Sequence, residues 1–224
     1  MSVSGVSDDG STITVRALVV LDGISGARGR AIMRGAAESY KALDIDLVAR
    51  YRRISFKPDD FHEVEGSELG PVPTANEQRL FEEMIDALGG ERPAGSDVVL
   101  LVTDKDIYIP GAEPGYSSAG VTYCLGGIRY PEKAFAMSEG RVSLFEETGA
   151  QPDFPEKIAA HEIGHLLGGQ HNYANCVEGN RASEGSDQAL CTLMEGSLVR
   201  FLASNFGTLE GAIIRGYAVD YAGS

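Results

Sequence analysis

Hydropathy along the chain alternates between two periods. From Thr12 to Asp22 (TITVRALVVLD), Ile13, Val15, Ala17, Val19 and Leu21 share one face, while Leu18 and Val20 make the other face apolar too. Apolar residues on both faces predict a strand in the interior of a sheet. Between Ser25 and Leu43 the apolar positions become Ile32, Met33, Ala36, Ala37, Tyr40 and Leu43, with Arg30, Arg34, Glu38 and Lys41 turned outward. That is the spacing of an amphipathic helix. Ile45 to Phe56 (IDLVARYRRISF) returns to strand character, so the three segments predict a βαβ unit with a right-handed crossover.

Beyond it the pattern breaks. Residues 57–73 gather Asp59, Asp60, Glu63, Glu65 and Glu68 among Pro and Gly, which reads as a solvated surface loop carrying an exposed His62. Calcium could bind such a loop, but no EF-hand-like spacing supports it. Thr74-Ala-Asn-Glu77 has the form of a capping box, followed by one apolar stripe (Leu80, Phe81, Met84, Ile85, Leu88) and a stop at Gly89. Val98 to Thr103 (VVLLVT) predicts a buried parallel strand. The stretch Asp104 to Pro131 is rich in Gly and Pro, and within it Gly120 to Gly127 (GVTYCLGG) predicts an exposed edge strand. An open edge can pair with an extended peptide through main-chain hydrogen bonds, which makes Tyr123, Cys124, Leu125 and Gly126 candidate substrate-binding residues. Ala134 to Ser138, with Val142 to Phe145, adds a further strand. Leu209 to Tyr221 closes with a helix.

The chemistry concentrates in His161-Glu162-Ile163-Gly164-His165-Leu166-Leu167-Gly168-Gly169-Gln170-His171. Asp153 is the expected N-cap of this helix, with Pro155 in its first turn and Glu156 at the favourable end of the dipole. Residues four apart share a helix face, so His161 and His165 can turn their imidazoles toward one ion. Gly168 can end the helix in the left-handed conformation and let His171 return as a third ligand. Three protein ligands with a fourth position open to water describe a catalytic zinc site. Glu162, about 100° round the helix from its neighbour, can reach the water as general base. Three of the four histidines of the chain fall in this one motif, which argues against scatter.

Composition narrows the picture. With 224 residues the chain suits a single domain, and no apolar run approaches the roughly 20 residues that span a bilayer. The start, MSVSGVSDDG, lacks the basic and apolar regions of a signal peptide. A net charge of −14 argues against nucleic acid, whose phosphates call for Lys and Arg. Of the three cysteines, Cys176 and Cys191 bracket a segment that a disulfide would close into a loop of about 15 residues, worth roughly 3 kcal/mol in the chain-entropy model. That pairing implies an oxidising, extracellular setting and leaves Cys124 as a small buried hydrophobe.

The spacing H-E-x-x-H-x-x-G-x-x-H, with Cys191-Thr192-Leu193-Met194-Glu195-Gly196 following, resembles the metzincin zinc endopeptidases. Leu100 to Ile107, Ser118 to Ile128 and Ile158 to His171 look like its reprolysin or adamalysin branch. The resemblance implies a zincin-like α/β (α+β) fold with a twisted mixed sheet, an antiparallel edge strand, an active-site helix and a small irregular C-terminal lobe ending in a helix. It implies one catalytic domain over 1–224, its upper lobe about 1–171 and its lower lobe about 172–224. One Zn2+ held by His161, His165 and His171, Glu162 as base, and Met194 as a packing floor beneath the metal complete the expectation. Residues Glu195 to Phe201 would wall the pocket beyond the scissile bond. The absence of Tyr two residues after Met194 removes the extra ligand of astacins and serralysins, and Asn172 stands where reprolysins usually have Asp. The expected product is a cleaved peptide bond in a protein or peptide substrate, made by a secreted monomer. The alternative is a non-catalytic zinc-binding module on the same scaffold.

Overall fold

The computed structural model describes residues 11–62, 71–109, 119–141, 153–171, 193–194 and 206–223. The βαβ unit is present: β1 (Ile13–Asp22), α1 (Gly26–Lys41) and β2 (Ile45–Arg53), with β1 and β2 parallel and in register from Ile13↔Ile45 to Leu21↔Arg53. Ser25 caps α1 by accepting the Arg28 N–H. Two short strands follow, β3 (Asp60–His62) and β4 (Val72–Asn76), then α2 (Glu77–Ala87), β5 (Val98–Thr103), β6 (Asp106–Tyr108), β7 (Gly120–Thr122) and β8 (Phe135–Glu139). The helix α3 (Phe154–Leu166) carries the histidine motif, and α4 (Thr208–Tyr221) is the last element.

The main sheet runs in the order β2-β1-β5-β8-β7, parallel except for β7, which pairs antiparallel with β8 at one edge. Alternation along β1 divides the core as its sequence predicts. Val15, Ala17, Val19 and Leu21 pack with α1, α3 and α4. Leu18 and Val20 face the other way, onto Leu80, Phe81 and Met84 of α2. Tyr40 ties α1 to α3: its ring is fully buried and its hydroxyl donates to the Ala160 carbonyl at 2.7 Å.

Several local expectations change. Residues 57–73 do not form only a loop, because β3 and β4 pair antiparallel and β4 pairs parallel with β6 in a second, three-stranded sheet. Within that sheet the Asp59 carboxylate accepts the Asn76 N–H at 2.6 Å. Thr74 belongs to β4, so the cap of α2 is Asn76, whose side chain accepts the Arg79 N–H. Asp153 is the N-cap residue of α3 as expected, its carbonyl accepting the Lys157 N–H at 3.1 Å, but its side chain makes no capping hydrogen bond; the carboxylate lies 3.2 Å from Lys157 Nζ one turn later. The edge strand is three residues long, not eight. Gly126, at φ +69°, turns the chain into a 3-10 turn at Gly127–Arg129. Cys124 is half-buried and free rather than part of the core. The Cys176–Cys191 pair, Asn172, Val142 to Phe145 and Glu195 to Phe201 lie outside the described residues.

Candidate active site

Helix α3 ends in a Schellman motif. Gly168 N–H donates to the His165 carbonyl at 2.9 Å, Gly169 N–H donates to the Gly164 carbonyl at 2.9 Å, and Gly168 sits at φ +83°. A side chain at Gly168 would be strained by that φ and would also meet the Tyr217 ring, whose atoms lie 2.7 Å from where its Cβ would stand. The turn brings His171 back over the helix. The Nε2 atoms of His161 and His165 lie 3.0 Å apart, and that of His171 is 3.2 Å from the first and 2.9 Å from the second.

The outer nitrogens of two of these rings are committed. His161 Nδ1 is 2.6 Å from the Leu193 carbonyl, and His165 Nδ1 is 2.7 Å from the Gly169 carbonyl. A carbonyl oxygen can only accept, so each Nδ1 carries the proton and each neutral ring presents a lone pair at Nε2. Burial, with the neighbouring His165 adding to it, holds His161 down at about 3; burial likewise holds His165 at about 4, with His171 contributing. Both rings are neutral at physiological pH, the form that binds a metal. Two lone pairs at this distance repel unless a cation lies between them. The spacing is close to the roughly 3.3 Å between nitrogens around a tetrahedral zinc with bonds of about 2.0–2.1 Å. The three residues therefore fit a metal, and they form the one such cluster among the described residues.

Glu162 is buried beside them, at 4% exposure. Its carboxylate Oε2 lies 2.7 Å from the Thr122 hydroxyl on the edge strand, and its backbone carbonyl lies 2.9 Å from the same hydroxyl. Burial raises the carboxyl from 4.5 to about 8, with the Thr122 hydrogen bond pulling the other way. A dication nearby would favour the charged form. Leu193 and Met194 are fully buried under the helix. A Cβ on Gly164 would stand 2.8 Å from Met194 Sδ, so the glycine between the two ligands lets this turn approach.

The family model described as "Metallo-peptidase family M12B Reprolysin-like" matches residues 27–172. The chain belongs to this reprolysin-like metallopeptidase family. Archaemetzincin from Archaeoglobus fulgidus is 38% identical over 80 residues, 36% of this chain and 44% of that protein, so the match spans less than half of the curated relative. Among solved structures, archaemetzincin from Methanopyrus kandleri superposes with a TM-score of 0.56 at 19% identity, over 93% of this chain and 97% of that one. Mature mirolysin from Tannerella forsythia, solved with a cleaved peptide, gives 0.54 at 12% identity over 96% and 99%. At such identities these structures speak to the fold. They agree with the zincin-like α/β class.

For this reprolysin-like chain, the residues expected at the site are distributed in two groups. His161, Glu162, His165, His171 and Met194 come together around one corner. Tyr123, Cys124, Leu125 and Gly126 form the turn that leaves β7: Tyr123 and Leu125 are about half exposed, and Gly126 is buried with its N–H on the His165 carbonyl at 2.8 Å. Sequence reasoning missed Thr122, Gly120, the Leu193 carbonyl and Tyr217. Only Thr122 offered a signal, a hydroxyl in an otherwise apolar strand. The other contacts join residues distant in the chain.

Proposed function

We propose that this protein is a zinc-dependent endopeptidase. The observation that carries the reading is the convergence of three imidazole Nε2 atoms within 3.2 Å of one another. His161, His165 and His171 would hold the ion through those atoms, and the Leu193 and Gly169 carbonyls fix two of the rings in the ligating tautomer. Zinc, when bound, supplies Lewis acidity to the substrate carbonyl and to water. Glu162 takes a proton from the attacking water and returns it to the departing amine, so the peptide bond breaks with one water consumed. β7, the last strand of the main sheet among the described residues, would pair with an extended peptide through main-chain groups, and Met194 would floor the site from beneath α3. The alternative of a purely structural zinc usually requires a fourth protein ligand. No fourth His, Cys, Asp or Glu joins the triad among the described residues.

Peptide-library cleavage, with zinc measured on the same sample, tests this reading. Glu162→Gln should keep zinc and lose roughly 10²–10⁴-fold in kcat. Full turnover by that variant, or an inactive zinc-loaded parent, overturns the assignment.

A further inference from the structure

The strand β7 does more than present an edge. Gly120 and Thr122 are two residues apart and therefore point to the same side of the strand, while Val121 between them packs into the opposite core cluster. On that side lies the Glu162 side chain. A Cβ on Gly120 would stand 2.7 Å from Glu162 Cγ, 2.7 Å from its Oε1 and 2.7 Å from Ile158 Cγ2. The missing side chain at 120 is thus the space that the Glu162 carboxylate and Ile158 occupy. Two residues on, the Thr122 hydroxyl meets Glu162 Oε2 at 2.7 Å. The strand's height against α3 is set by the sheet, through Gly120↔Ser138, Val121↔Met137 and Thr122↔Ala136.

We propose that Thr122 is a positioning residue for Glu162, its hydroxyl anchoring one carboxylate oxygen in a notch that Gly120 leaves open. The inference rests on the reading of Glu162 as general base. A glutamate side chain has three rotatable bonds, and a hydrogen-bond donor is what selects one rotamer from the several that burial alone would allow. In this arrangement the strand that would take the substrate also holds the base. Peptide and proton acceptor are then referred to the same three residues of backbone.

The test compares zinc-loaded Thr122→Val, Thr122→Ser and Thr122→Ala with the parent and with Glu162→Gln. Valine keeps the shape and removes the hydroxyl; serine keeps the hydroxyl. Thr122→Val should lose roughly 10–100-fold in kcat with KM and zinc stoichiometry close to the parent, and Thr122→Ser should recover most of the loss. Crystal structures should find the Glu162 carboxylate displaced from the notch in the valine variant and in place in the serine variant. Thr122→Ala, which removes the same hydrogen bond without the branched side chain, should repeat the kcat loss if Thr122→Val does not fold. Parent-like kcat in the valine or alanine variant, or equal losses in valine and serine with the carboxylate unmoved, overturns the positioning role. Those outcomes are distinct from failure of the peptidase reading, in which Glu162→Gln turns over like the parent or the zinc-loaded parent cleaves nothing.

Discussion

Two clusters of buried polar groups differ in whether they are complete. At the C-terminal ends of β1 and β5, Lys105 Nζ lies 2.7 Å from Asp22 Oδ2, Thr103 Oγ1 donates to the same oxygen at 2.8 Å, and Asp22 Oδ1 accepts the Phe56 N–H at 3.1 Å. Asp22 and Thr103 are wholly buried and Lys105 nearly so. Charge there is balanced from within the chain. The histidine cluster has the opposite character: at least two neutral rings aim lone pairs at a common point, and among the described residues no Lys or Arg is ion-paired or hydrogen-bonded there. A structural cluster closes its own hydrogen bonds, whereas this one has the form of a site that a metal ion completes.

Three experiments sharpen the contrast. The largest effect should come from Asp22→Ala, which leaves the buried Lys105 ammonium only the more distant Asp104 carboxylate, at 3.4 Å, and takes the acceptor from Thr103 and from the Phe56 N–H; it should cost about 3–5 kcal/mol by urea denaturation. Replacing both groups together, Asp22→Leu with Lys105→Met, should cost less because no buried ammonium remains, and an equal cost would place the loss in the Thr103 and Phe56 donors that Asp22 accepts rather than in the ion pair. The second concerns pH. In chelator-treated protein, His161 and His165 are depressed to about 3 and about 4 from 6.5, so at these two groups the unfolded chain binds more protons between those values. The histidine contribution to stability should be fully present above about 6.5 and fall as pH drops toward 4 and then 3; Glu162, raised to about 8, works the other way, its contribution being lost as pH rises from 4.5 through 8. Thermal melts with and without His161→Gln measure it, and the variant should flatten the slope. A slope identical in both would remove the histidines as its source. The smallest effect is Gly164→Ala, which presses a methyl onto Met194 Sδ and should cost about 1–3 kcal/mol with a loss of zinc affinity. An alanine tolerated without change in either would show that Met194 can withdraw.

Much of this was legible in the chain. Periodicity located β1, α1, β5 and the helix bearing the motif, because each buries a long, regular face. Spacing alone placed His161, His165 and His171 together. The small second sheet escaped notice because β3 and β6 are three residues each and find partners only through β4, beyond the reach of local periodicity. The edge strand was read too long for a related reason: the sequence Tyr123-Cys124-Leu125 favours a strand, but Gly126 turns the chain at φ +69°, packed against Tyr217 some ninety residues later. Contacts of that kind, including Thr122 with Glu162, leave no mark in a local window.

Tyr217 makes the last helix part of the corner's construction. Its ring fills the space above both Gly126 and Gly168, the glycines at which the edge segment and the motif helix turn, and those two segments are stitched by the Gly126 N–H on the His165 carbonyl. A nascent chain that has emerged from the ribosome only as far as His171 already carries every imidazole, yet it lacks the Leu193 carbonyl that orients one ring and the aromatic wedge that holds the corner shut. The site as it stands in the fold therefore draws on α4, although the last of its imidazoles lies some forty residues earlier in the chain.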